Sequence, residues 1–261
     1  VYASYNVLPG WASGMPLRRL FVDHAKSTSG PLHLRIDKAL MFAERLKEGN
    51  VAYFRDNHGA SKRLENIRSQ NRSYLAHEYF NRDWTPFYFA DIADAMDEAK
   101  VGYVGSAHLL DHVDGINLRV EHQQLLNEVA DPRFRETLRD YFTLQQFRKD
   151  IFVRGPMALN LGEIQEAWLD ARFALSKPRA EFEMKVQGAL GEVTLQEDIY
   201  NPLLDQLADG PKTLRQMINA DAKIKDMGWP RAQEALRVLV GGGHVHPSLD
   251  AKGDSKRAQR T

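Results

Sequence analysis

PFYFADIADAMDEAKVGYVG (86–105) decides the fold class. Pro86 forces a turn, because its ring disfavours helical geometry in the residue before it. From Phe89 to Lys100, Ile92, Ala93 and Met96 recur at helical spacing, which predicts a helix with those residues inward. VGYVG (101–105) is β-branched or aromatic and bounded by glycine, the pattern of a short strand. A helix running directly into a strand predicts a helix-rich α+β chain with a small mixed α/β domain at its centre.

Towards the N-terminus, VYASY (1–5) alternates bulky and small residues as a strand does, then breaks at Pro9 and Gly10. Leu17, Leu20, Phe21 and His24 form one helical stripe, with Pro16 in the first turn where its missing N–H is not needed. Ser29, Gly30 and Pro31 open a second helix whose face carries Leu32, Ile36, Leu40, Ala43 and Leu46, closed by Gly49. A third helical segment, 60–80, is interrupted near Asn71.

Towards the C-terminus, helices are expected at 119–129 and 133–143, the latter started by Asp131 and Pro132 and lined by Phe134, Leu138, Tyr141 and Phe142. FRKDIFVR (147–154) alternates as a second strand, and LGEIQEAWLDARFAL (161–175) begins as a helix whose end reads as a strand. FEMKVQ (182–187) and GEVTLQ (191–196) flank a glycine turn as a hairpin. Helices near 199–208, 213–219 and 230–240, followed by GGGHVHP (241–247), give a winged-helix-like order. The polar DAKGDSKRAQRT (250–261) is expected to fray.

Composition excludes several classes. With 43% hydrophobic and 27% charged residues the chain is an ordinary globular sequence, and no apolar run approaches the roughly 18 residues of a membrane span. Lys plus Arg and Asp plus Glu are equal at 35 each, so there is no net field to gather a nucleic acid, and a nucleic-acid partner is not expected. Cysteine is absent, which removes disulfides, thiolate metal sites and cysteine nucleophiles; the cytoplasm is the default compartment. The chain starts at Val1, with no secretory pattern, and reads as part of a longer polypeptide.

Four stretches resemble one family. YNVLPGW (5–11) and PLRRLFVDHA (16–25) resemble the junction where the last catalytic strand of a bacterial S-adenosylmethionine-dependent methyltransferase passes into a helical linker. YLAHEYFNRDWTPFYFADIADAMDEAKVGYVGSAHL (74–109) and FTLQQFRKDIFVR (142–154) resemble the opening and close of the methyltransferase regulatory domain that follows it. The resemblance is dense over 1–154 and looser to about 249, where relatives carry a winged-helix-like unit. It implies a strand remnant and helical linker at 1–72, the regulatory domain at 73–155, a C-terminal domain at 156–249 and a flexible tail at 250–261. It also implies a parent enzyme whose N-terminal catalytic domain binds S-adenosylmethionine, with protein lysines as the acceptor in some relatives.

A Rossmann-like methyltransferase needs a glycine-rich loop between its first strand and the following helix, and an acidic residue for the ribose. Here Gly188–Gly191 joins two strands, Gly241–Gly243 follows a helix, and Gly102 and Gly105 flank a strand without a following G-x-G. No cofactor is therefore expected on this chain itself, and no catalytic or metal residue is assigned.

HEYFN (77–81) departs from the zinc-protease pattern HExxH because Asn81 stands where the second histidine belongs. Tyr74, His77, Glu78 and Tyr79, with Phe87 and Tyr88 beyond, form an aromatic and polar cluster expected either to face a substrate peptide or the catalytic domain, or to pack as core. Trp11 is expected to offer a large apolar anchor at the domain junction. HLLDHVD (108–114) reads as solvated loop more readily than as a metal site, and His244 and His246 as the shared face of one strand.

The leading function is a non-catalytic region that regulates an attached methyltransferase or positions its substrate, with the catalytic domain, a protein substrate and a second copy of the chain as partners, and no membrane. The alternative is a winged-helix transcriptional regulator reading DNA with WPRAQEALRVLV (229–240), although Glu234 offsets Arg231 and Arg237 and most other positions are apolar, so that helix reads more as core. A metal-dependent hydrolase using the histidines is the third.

Overall fold

The structure, a computed structural model, describes residues 1–249; the tail expected at 250–261 lies outside the described residues. The chain opens with β1 (Tyr2–Asn6), α1 (Met15–Ser27), α2 (Leu32–Glu48), α3 (Ala52–Asp56), α4 (His58–Arg68) and α5 (Arg72–Glu78). Next come α6 (Phe89–Glu98), β2 (Gly102–Ser106), α7 (Asp114–Asn117), α8 (Val120–Asn127), α9 (Pro132–Thr143) and β3 (Phe147–Val153). The remainder holds α10 (Leu161–Asp170), β4 (Arg172–Leu175), β5 (Lys185–Gly188), β6 (Gly191–Thr194), α11 (Glu197–Ala208), β7 (Lys212–Thr213), α12 (Leu214–Ala220), α13 (Ala222–Gly241) and β8 (Val245–Ser248). The fold is α+β and helix-rich, and α6 runs into β2 as 86–105 predicts. No helix of the described residues is long and apolar enough to cross a membrane.

The chain divides into two compact units. The first comprises Ser4–Asp94 and Glu136–Arg148. Its core gathers Leu17 and Phe21 of α1, Ile36, Leu40 and Ala43 of α2, Leu64 and Ile67 of α4, and Leu75 and Tyr79 around the end of α5. Each helix contributes positions three or four apart, which is the stripe a surface helix must bury. Asn71 separates α4 from α5 because its side chain accepts the Ser73 N–H at 2.8 Å, an N-cap that starts a new helix. Leu32 is exposed, so the buried stripe of α2 starts one turn later than expected.

In α9 the expectation of an apolar lining needs correction. Phe134 and Tyr141 are exposed, and the buried residue of the helix is Asp140. Asp140 accepts from Arg148 Nη1 at 2.8 Å, Glu136 accepts from Arg148 Nη2 at 2.8 Å, and the guanidinium stacks 4.4 Å from the Phe89 ring centroid. A buried charge is tolerated only when paired and hydrogen-bonded, and periodicity of apolar residues carries no trace of such a pair.

The second unit comprises Val1–Ala3, Ala95–Arg135 and the described residues from Lys149. β2 pairs antiparallel with β3 through Gly102 opposite Val153 and Tyr103 opposite Phe152, within a sheet of order β1-β3-β2. Its apolar core combines Phe173 of β4 with Leu203, Leu204 and Leu207 of α11, Leu214 and Met217 of α12, and Ala232, Leu236 and Leu239 of α13. β4 pairs antiparallel with both β7 and β8, while β5 and β6 form a separate hairpin. α13 begins at Ala222, earlier than expected, and bends at Gly228, whose φ of 76° suits glycine; Pro230 follows.

Ala232, Gln233, Ala235, Leu236, Val238 and Leu239 are buried, so the helix that the alternative function would use to read DNA packs as core, as its apolar composition suggests. One sequence expectation changes in this unit. His244 lies before β8, buried, with Nε2 3.0 Å from the Lys185 carbonyl oxygen, whereas His246 is on β8 and exposed; the two do not share a strand face. HLLDHVD closes on itself: His108 Nδ1 is 3.1 Å from Asp111, Ser106 Oγ donates to Asp111 at 2.6 Å, and His112 Nε2 is 2.9 Å from the Ser106 carbonyl oxygen. Among the described residues no group of three His, Asp or Glu is placed to hold a metal ion.

Candidate functional site

One face of α4 and its C-terminal extension carries Gly59, Lys62, Arg63, Asn66, Ile67 and Gln70, spaced three and four apart. That face forms one wall of a cleft of about 380 Å³ in the first unit. Gly10 and Ser13 come from the turn after β1, Tyr74 from α5, Tyr79 from just beyond it, and Leu144 and Gln146 from the segment entering β3. Gly10 is required by contact: a Cβ there would lie 2.0 Å from the Gln145 carbonyl oxygen. Its N–H donates to that same oxygen at 3.1 Å, which holds the turn against the 145–146 backbone.

Arg63 organises the cleft. Its Nη2 donates to the Gly10 carbonyl at 3.1 Å, its Nη1 donates to the Tyr79 hydroxyl at 3.3 Å, and its guanidinium lies 4.1 Å from the Trp11 ring centroid. Trp11 in turn packs on Tyr79, centroids 5.4 Å apart, and edge-on to Trp84 at 4.7 Å, and its Nε1 donates to Asn6 at 3.1 Å. A second arginine, Arg18, lies 4.3 Å from the Trp84 ring centroid and donates to the Asn81 carbonyl, and burial lowers its pKa below the usual arginine value. Aromatic faces attract cations, so both guanidiniums are held on this ring cluster.

The charges of α4 differ by face. Away from the cleft, Glu65 pairs with Lys47 and Arg68 with Glu44. Towards it, neither Lys62 nor Arg63 has a carboxylate within 4.0 Å among the described residues, and no lining residue is acidic. Burial, and then the nearby Glu78 charge, raise the Tyr74 phenol above its ordinary pKa, while Arg63 opposes them, so Tyr74 enters the cleft as a neutral hydroxyl.

Of the residues singled out in the sequence, the structure brings Trp11, Tyr74 and Tyr79 to this place: Tyr74 and Tyr79 line it and Trp11 lies beneath Arg63. Trp11 is 4% exposed, so it is a packed support and not the surface anchor expected at the junction. His77 is exposed and Glu78 half-buried on α5, and neither lines the cleft. Phe87 and Tyr88 are partly exposed and lie outside it; Phe87 is fixed by its backbone, its N–H donating to Asn6 and its carbonyl accepting from Leu8. Lys62, Arg63, Asn66 and Gln70 escaped sequence reasoning, although their helical spacing on one polar face was there to be read.

Residues 71–154 match the family model described as a predicted methyltransferase regulatory domain. Among individual proteins, the chain is 43% identical over 261 residues to the uncharacterized protein sll1526 of Synechocystis sp., covering 100% of this chain and 51% of that protein. It is 22% identical over 161 residues to the uncharacterized protein RP789 of Rickettsia prowazekii, covering 61% of this chain and 29% of that protein. The chain therefore spans about half the length of the first relative and less of the second. In fold it is similar to PKMT2 from Rickettsia typhi, with a TM-score of 0.63 at 18% identity, covering 94% of this chain and 51% of PKMT2. The same protein in complex with AdoHcy gives 0.63 at 19% identity.

Proposed function

We propose that this chain is the non-catalytic region of an S-adenosylmethionine-dependent methyltransferase, one that positions a protein substrate or controls its access to a catalytic domain preceding it. The observation that carries the reading is the regulatory-domain match at 71–154 inside a chain whose fold corresponds, over 94% of its length, to 51% of PKMT2. The missing strand–glycine loop–helix signature supports a methyl donor held elsewhere in the parent polypeptide. On this reading 1–72 is the linker, 73–155 the regulatory domain and 156–249 a C-terminal interaction module, working in the cytoplasm. Trp11, Tyr74, His77, Glu78, Tyr79, Phe87 and Tyr88 then belong to the part of the chain that meets the substrate or the catalytic domain, with Trp11 acting through the residues it supports.

Calorimetric titration of the chain with S-adenosylmethionine tests the first half: no saturable heat is expected, and tight binding overturns the assignment. The second half is tested on full-length sll1526 against a version lacking the matched segment. Loss of methyl transfer to protein with retained S-adenosylmethionine binding is the expected result; unchanged transfer overturns the positioning role.

A further inference from the structure

We propose that the cleft between α4, α5 and the turn after β1 binds an acidic peptide segment, with Lys62 and Arg63 receiving its carboxylate. A guanidinium held half-buried without a counter-charge keeps an electrostatic demand that an anion satisfies. Arg63 is in that state: its two protein acceptors are a neutral carbonyl and a neutral hydroxyl, and its third contact is the Trp11 ring. Lys62 stands next to it on the same wall, also without a carboxylate among the described residues, while the ion pairs of α4 are confined to its other side. The Glu78 charge is near enough to raise Tyr74 but is not among the lining groups.

The remaining polar groups choose between classes of anion. Inorganic phosphate calls mainly for donors, with an acceptor only for its remaining one or two O–H groups. This cleft adds the side-chain amides of Asn66, Gln70 and Gln146, each carrying a donor and an acceptor, which matches the N–H and C=O of a peptide group. Its volume of about 380 Å³ falls at the low end of the roughly 300–1,000 Å³ of small-ligand sites, enough for a few residues of extended chain. Ile67 and Leu144 supply the apolar part of the wall.

The inference rests on the proposed positioning role only for which polypeptide supplies the segment; binding is measured on this chain alone, so the two ideas fail separately. The probe is a fluorescein-labelled acetyl-Ala-Glu-Glu-Ala-Glu-Ala amide, followed by anisotropy, beside its Gln-for-Glu counterpart and unlabelled inorganic phosphate as competitor. Saturable binding is expected, weaker by about tenfold for the Gln peptide and falling with salt as a partly exposed charge contact does. Lys62→Ala, at an exposed position, is expected to weaken the acidic peptide about fivefold without moving the melting temperature. Arg63→Lys should weaken it further, because a compact ammonium cannot both stack on Trp11 and present a fork. Equal binding of the two peptides, no binding of either, or an unchanged affinity in Lys62→Ala overturns the site. Full displacement by phosphate at the concentration at which the peptide itself binds overturns the peptide class.

Discussion

The guanidinium of Arg63 lies 4.1 Å from the centroid of the Trp11 ring, so the cation that faces the cleft is held from beneath by the residue that closes the turn after β1. Trp11 is at once a core residue, 4% exposed, and the support on which the cleft's charge is set. Folding and the candidate site therefore share one side chain.

Trp11→Ala removes that support and leaves a cavity against Tyr79 and Trp84. Truncating a buried tryptophan costs about 3–5 kcal/mol, and urea unfolding followed by circular dichroism should show a loss of that size. A loss under about 1 kcal/mol would show that the ring is not packed as described.

Glycine substitutions should separate by contact. Gly10→Ala places a methyl group 2.0 Å from the Gln145 carbonyl oxygen, and backbone cannot yield as a flexible side chain can. Destabilisation of about 3 kcal/mol, the upper end of what overpacking costs, is expected. Gly115→Ala meets nothing within 4 Å in the short helix α7, and should be neutral or gain about 0.4–1 kcal/mol by restricting the unfolded chain. The contrast is read from the two unfolding midpoints.

The buried ion cluster on α9 makes a third case. Arg148 and Asp140 have side chains 6% and 4% exposed. Asp140→Ala takes one of two carboxylates from the buried guanidinium, with Glu136 left as its partner. Leaving a buried charge with no partner costs about 3–5 kcal/mol, so the loss in denaturant unfolding is expected to fall below that range, and the Asp140→Ala, Glu136→Ala double variant to reach it.

His108 gives a pH dependence whose sign follows from its contacts. The hydrogen bond with Asp111, the largest influence, raises its pKa above the ordinary histidine value, with burial and Lys149 opposing. A group whose folded pKa is raised contributes stability that is fully present below the unfolded value of about 6.5 and is lost as pH rises through the folded value. His108→Asn should therefore lower the unfolding midpoint most at the acid end of a series from about pH 5.5 to 8.5, and least at the alkaline end. A constant difference across the series would mean that the imidazole titrates alike in the folded and unfolded chain, so that Asp111 does not favour its charged form.

What the sequence determined by itself is the local part. Helix and strand identities follow from patterns of a few residues: the stripe Leu17, Leu20, Phe21 and His24, the break near Asn71, the glycine-bounded strand after α6. These depend on backbone sterics and on which face must leave water, and both are encoded within a turn or two. Tertiary structure alone decided that Asp140 is buried with Arg148 and that Trp11 lies under Arg63 of α4. Charge pairs and cation–ring contacts join residues distant along the chain, and their energy depends on the desolvation that packing imposes, a quantity no local pattern carries.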